Sequence, residues 1–331
     1  MRQNKANGDW VIFSPGRGKR PDDFRAPAKK LEKTLALDPD CPFCPGNEKR
    51  IPPVISENTA GGTSWRTRVI PNKFPAVDAS AVFAIKPFGP YLRTEGYGRH
   101  EVIIETPVHN RDLGRMSLRE VRGVIDAYHE SYTRLMADKR NMLALIFRNH
   151  GESAGTSLKH PHSQVIATGL VPGHVRAAGN EAQRFFDQHG ACAFCETLKF
   201  EKKQKRRLLF ENRDFLCFIP FAAEVPFETW ILPKRHMASF GAVTAGERSA
   251  MALILRSALS ALRRRLNDPD YNFVIMSAPR HREDEPHLHW YLRIRPRTTT
   301  RAGFEIGSGM LINPSLPERD RDFLKDSARR G

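Results

Sequence analysis

Two stretches of the chain carry apolar positions at three- and four-residue spacings. Leu118, Val121, Ile125, Tyr128, Tyr132 and Leu135 form one stripe; Met251, Leu255, Ala258, Leu262 and Leu266 form the other. Each stripe predicts one buried face of an α-helix. Each is preceded by a capping box, Ser117-Leu-Arg-Glu120 and Thr244-Ala-Gly-Glu247. There a hydroxyl and a carboxylate three residues apart satisfy each other's free backbone N–H groups. Short apolar runs at 10–13, 67–77, 101–105, 143–147, 165–167, 215–221, 229–232 and 271–277 predict strands. The run at 67–77 is expected to end in a turn.

In chain order these elements repeat. Each half reads as a Cys-x-x-Cys pair, strands, a histidine, a capped helix, a strand, a loop and a His-x-His strand. Ser117 stands eight residues after His109, and Thr244 stands eight after His236. The pattern predicts an α+β protein built from a duplicated unit, with halves at 1–175 and 176–331 packed side by side.

The repeat brings metal chemistry into view. Cys41, Cys44, His109 and His160 recur as Cys192, Cys195, His236 and either His287 or His289. Two thiolates and two imidazoles suit tetrahedral zinc, and four protein ligands leave no open position, so these sites are expected to be structural. One or two zinc ions per chain follow. The alternative, a pair of redox dithiols, calls for a helix directly after each motif, which the pattern does not predict.

The loop 149–159 lies between two apolar runs and is rich in Gly, Ser and Thr, whose backbone N–H groups and hydroxyls suit an anion. In an extended strand after it, His160, His162 and Gln164 share one face. With His160 on a metal, His162 is free to act as a nucleophile toward phosphorus. Gln164 could donate an amide hydrogen to the phosphoryl oxygen, and Arg17 and Arg20 in the Pro/Gly-bounded loop 14–21 could fork around the rest. The second half has Trp290 and Tyr291 after its histidines and no glutamine, so one unit is expected to be reactive. Asn72, Phe74 and Pro75 read either as turn chemistry or as the floor of a base pocket.

Composition narrows the partner. Of 331 residues, 53 are Lys or Arg and 37 are Asp or Glu, a formal charge of +16. That points to nucleic acid or an anionic small molecule. The basic runs at 202–207 and 263–265 read as solvated faces, and no aromatic-basic pattern suited to stacking single strands is present. A phosphate-bearing small molecule ranks first; a zinc-stabilised nucleic-acid-binding protein is the reading from another class. No apolar run approaches the roughly 20 residues of a membrane helix. The N-terminus has no signal-peptide pattern, so a cytoplasmic location is expected.

Ser14-Pro-x-Arg17-x-Lys19-Arg20-Pro21, Cys41-x-x-Cys44-x-Gly46-Asn47, Asn149-x-Gly151, His160-Pro161-His162-x-Gln164 and Pro226-Phe227-Glu228-Thr229 stand in one order. The chain resembles the galactose-1-phosphate uridylyltransferase family of the histidine-triad superfamily over almost its whole length. The resemblance implies two histidine-triad motifs, each an antiparallel half-barrel with flanking helices. It implies a ping-pong nucleotidyltransferase, UDP-glucose–hexose-1-phosphate uridylyltransferase first, with His162 carrying the nucleotidyl group and Gln164 binding its phosphate. Asn72, Phe74 and Pro75 would line the base pocket, Asn149, Gly155, Thr156 and Ser157 would touch the diphosphate, and Arg17 and Arg20 would reach it, with a homodimer expected. The substrates would be a nucleoside-diphosphate sugar and a hexose 1-phosphate or phosphate. The segment 303–317 departs from the family pattern, lacking its Tyr-Glu pair and later Gln. It is similar to the ADP-glucose phosphorylase branch, which transfers adenylyl to inorganic phosphate and which tips the fourth ligand of the second site to His289.

Overall fold

In a computed structural model that describes residues 1–17 (Arg17 without its side chain), 21–26, 35–59 and 64–325, ten strands form one continuous antiparallel sheet. The first half supplies β1 (Ser56–Asn58), β2 (Thr67–Pro71), β3 (Gly98–Ile104), β4 (Leu143–His150) and β5 (His162–Thr168). The second supplies β6 (Leu208–Glu211), β7 (Phe215–Phe218), β8 (Thr229–Pro233), β9 (Tyr271–Met276) and β10 (Tyr291–Pro296). The spatial order is β6-β7-β8-β10-β9-β4-β5-β3-β2-β1. Read outward from the middle, both halves run fourth, fifth, third, second, first. The duplication seen in the sequence is therefore a repeat of topology. The halves join through β4 and β9, with Ile146 opposite Ile275.

The two capped helices form as the pattern predicts, α1 (Leu118–Ala137) and α4 (Ala245–Leu266). Both capping boxes close: Ser117 N–H donates to Glu120 at 2.7 Å and Thr244 N–H to Glu247 at 2.8 Å. Their stripes pack together on one sheet face, where Val121, Ile125, Leu255 and Leu262 share a core with Ile146, Val165, Ile231 and Trp290.

Helices the pattern did not announce also form. α2 (Gly173–His189) buries only Gly179 and Ala182, too little to leave a periodic stripe. α3 (Ala193–Gln204) starts directly at the second cysteine pair, contrary to the expectation of no helix there. It lies on the sheet face opposite α4, where Phe194 and Leu198 pack on Leu216, Phe218, Trp230 and Leu232. Two short helices follow, α5 (Gly303–Ser308) and α6 (Pro317–Lys325).

The face that α3 covers in the second half corresponds to the one carrying His162 and Gln164 in the first. No helix among the described residues is long and apolar enough to cross a membrane.

Candidate active site and metal centres

Two clusters that could each hold a metal assemble from distant parts of each half. Cys41, Cys44, His109 and His160 bring their ligand atoms within 4.8 Å of one another, as do Cys192, Cys195, His236 and His289. Zinc bonds of about 2.3 Å to sulfur and 2.0–2.1 Å to nitrogen at tetrahedral angles give a sulfur–nitrogen edge of about 3.6 Å. The observed edges are 3.5 Å for Cys44 to both His109 and His160, and 3.6 Å for Cys41 to His160. In the second cluster Cys195 stands 3.3 Å from His236 and 3.7 Å from His289.

The hydrogen bonds of the other ring nitrogens agree with ligation through Nδ1 in both clusters. His160 Nε2–H donates to the Thr106 carbonyl at 2.7 Å, and His289 Nε2–H donates to that of Pro233 at 3.0 Å. A carbonyl can only accept, so Nδ1 keeps its lone pair. His287 stays outside, its Nε2 accepting from Arg282 at 2.7 Å. Although α3 begins at the second pair as a redox dithiol would require, the two convergent histidines match a four-ligand metal set. Burial pushes the Cys41 thiol up to about 11, so a metal binding there must displace protons.

His162 follows two residues after His160 of the first candidate metal cluster. Its Nδ1–H donates to the His160 carbonyl at 2.8 Å, which leaves the Nε2 lone pair uncommitted. Burial is the main cause pushing its pKa below the ordinary imidazole value, so the ring is neutral at pH 7.

Beneath His162, on the helix side of the sheet, lies a buried polar network. Arg148 Nε donates to both Glu105 oxygens at 2.9 and 3.1 Å, Ser163 donates to Glu105 at 2.5 Å, and Arg148 Nη1 donates to the Tyr271 hydroxyl at 2.8 Å. Ser163 neighbours His162 in the chain, so this network anchors the strand that carries His162.

His162 lines a cleft of about 850 Å³, a size suited to a nucleotide-sized ligand. Asn149, Thr156, Ser157, Lys159, Arg115 and His160 line it as well. Gly151 sits at φ +87°, and a Cβ there would collide with the Asp270 carboxylate, so only glycine lets the loop turn. Asp270 in turn accepts from the Ser153 N–H and hydroxyl, each at 2.8 Å. Asn149 Oδ1 accepts from Asn272 at 2.8 Å, which leaves its amino group to donate. Gly155, the left-handed residue at φ +87°, ends the turn.

A second group stands on the same sheet face. Gln164 Oε1 is 2.7 Å from His100 Nε2, and Asn72 Nδ2 is 3.1 Å from that nitrogen. Phe74 is 81% exposed, with the Lys73 ammonium 6.0 Å from its ring centre, and Pro75 beside it is exposed. Arg17 ends the turn Pro15–Arg17, while Arg20 lies outside the described residues. Sequence reasoning missed His100, Glu105 and Arg148, which meet their partners only once strands have paired.

In the second half, Tyr291 stands two residues after His289 of the second candidate cluster and Arg293 two further on. Tyr291 packs at 5.1 Å from Phe194 and 4.7 Å from Trp230 between ring centres. Arg293 is paired with Glu224 and Glu228. No nucleophile stands at that position.

Comparison with known proteins matches residues 1–172 to the galactose-1-phosphate uridyl transferase N-terminal domain and 179–330 to its C-terminal domain. The chain is similar to an ADP-glucose phosphorylase of Arabidopsis thaliana, 33% identical over 96% of this chain and 90% of the relative. It is 27% identical to galactose-1-phosphate uridylyltransferase of Thermotoga maritima, over 99% and 98%. The crystal structure of an Arabidopsis thaliana ADP-glucose phosphorylase with bound ADP-glucose superposes with a TM-score of 0.83, at 30% identity, covering 99% of this chain and 98% of the other.

Proposed function

Because the chain belongs to the galactose-1-phosphate uridylyltransferase family, we propose that it is a nucleotidyltransferase working through a covalent nucleotidyl-His162. One observation carries this reading: an imidazole fixed as the Nδ1–H tautomer, with its Nε2 lone pair free, lining a nucleotide-sized cleft. In the first step Nε2 attacks the α-phosphorus of a nucleoside-diphosphate sugar. The bond from that phosphorus to the bridging oxygen breaks, and the sugar 1-phosphate leaves with the electron pair. In the second step a phosphate oxygen of the acceptor attacks the same phosphorus, and the P–N bond returns its electrons to Nε2. The Gln164 amide and the N–H groups of the loop through Gly155, Thr156 and Ser157 stabilise the phosphoryl oxygens. Asn149 and Arg17 and Arg20 act on the diphosphate, and Asn72, Phe74 and Pro75 receive the base.

The first assignment is uridylyl transfer from UDP-glucose to a hexose 1-phosphate. A second reading, adenylyl transfer from ADP-glucose to inorganic phosphate, is favoured by the 33% identity to the phosphorylase and by the departure of the segment 303–317. Turnover of UDP-glucose with galactose 1-phosphate, beside ADP-glucose with phosphate, tests both. A rate confined to one pair selects that reading, and no turnover of either refutes both.

The halves 1–175 and 176–331 are read as a reactive and a supporting unit. Zinc is the metal proposed for both clusters, held by Cys41, Cys44, His109 and His160, and by Cys192, Cys195, His236 and His289. It would supply a cross-link rather than reaction chemistry, because no ligand position is left open. Five free cysteines in the described residues suit a reducing, cytoplasmic setting. A homodimer, which the family resemblance implies, is checked by light scattering.

A further inference from the structure

His100 belongs to none of the motifs that carry the transfer reading, yet it stands between the two groups of residues that reading uses. It sits on β3, half-buried, on the face shared by His162 and Gln164. Its Nδ1 accepts the backbone N–H of Ala76 at 3.2 Å. In a neutral ring the proton therefore rests on Nε2, and burial disfavours the charged ring. Nε2–H points at Gln164 Oε1, 2.7 Å away. With its oxygen occupied, the Gln164 amide has one orientation left, with its amino group as the free donor.

The same nitrogen sets Asn72. Asn72 Oδ1 accepts the Phe74 N–H at 2.9 Å, which turns its amino group toward His100, 3.1 Å from Nε2. Nε2 carries a proton in this tautomer and offers Asn72 no lone pair. The Asn72 amino group is thus left for an acceptor on a ligand.

We infer that His100 is a positioning residue for nucleotidyl transfer. Its neutral ring orients the Gln164 amide toward the transferred phosphoryl group and leaves the Asn72 amino group to a base carbonyl or ring nitrogen. This role rests on the transfer reading and adds a residue that acts through Gln164 rather than on the substrate.

The test uses single-turnover formation of the nucleotidyl-enzyme from full-length protein, with UDP-glucose and ADP-glucose as donors. His100→Phe removes the donor and should lower the limiting rate about 10- to 100-fold, the loss usual for an orienting partner, with half-saturation changed by less than about threefold. His100→Gln can still donate to Gln164 and should restore most of that loss. In a Gln164→Ala background His100→Phe should cost nothing further, because the group it orients is gone. A residue that only supports the fold would give independent losses in that background. A His100→Phe rate equal to wild type, or full additivity with Gln164→Ala, overturns the role while leaving the transfer reading intact. Wild-type protein that forms no adduct with either donor overturns the transfer reading itself, and is seen before any variant is made.

Discussion

Glu105→Gln changes the shape of one side chain hardly at all, yet it should be among the most damaging substitutions in the chain. Glu105 and Arg148 side chains are 0% and 2% exposed. The carboxylate receives two bonds from Arg148, one from Ser163 and a longer one from the Tyr128 hydroxyl at 3.3 Å. Arg148 stays charged in any folded environment. Glutamine in place of Glu105 leaves that charge in the core with only neutral acceptors, the new amide oxygen and the Tyr271 hydroxyl, and turns an amino group toward donors. Removing one member of such a pair costs about 3–5 kcal/mol. At about 1.4 kcal/mol per factor of ten, that is roughly two to three and a half orders of magnitude in the unfolding equilibrium. Urea unfolding of wild type, Glu105→Gln, Arg148→Met and the double variant measures it, with zinc held constant. The double variant should lose far less than the two singles together, with a coupling of about 2 kcal/mol or more. A Glu105→Gln loss below about 1 kcal/mol, or additive singles, refutes the argument that the pair is desolvated and mutually required.

Three further outcomes are expected. Burial holds His162 below the ordinary 6.5, so protonation removes its lone pair only at more acid pH; the adduct-formation rate should be flat from about pH 8 to about 6.5 and fall below that, whereas a rate declining through a pKa above 7 contradicts the assignment. Elemental analysis should find about two zinc ions per chain, Cys41→Ser should lower this by about one, and metal binding should release protons; unchanged content in Cys41→Ser rules out the first site. Gln164→Ala should slow transfer by about 10²- to 10³-fold if its amide meets the developing charge, and a wild-type rate removes it from the mechanism.

What the sequence disclosed and what it hid follow one physical rule. The capped helices were legible because Ser117 and Glu120, or Thr244 and Glu247, act within one turn and the stripes repeat every three or four residues. The metal clusters were legible because a Cys-x-x-Cys pair is a local signature and the duplication supplied the distant histidines twice. α2 and α3 were not, since α2 buries little and α3 carries a lysine-rich exposed end. The Glu105–Arg148–Tyr271 network and the Asn72–His100–Gln164 group each join three separate strands or strand ends. Their members touch only because of register, such as Val102 opposite Gln164, which no local pattern records.

The intact mass of the protein after incubation with UDP-glucose or ADP-glucose alone, without an acceptor, tests the central claim most directly. One acid-labile uridylyl or adenylyl group per chain should appear, be lost on adding acceptor and be absent in His162→Ala. An unchanged mass with both donors, or an adduct that persists in His162→Ala, would contradict it.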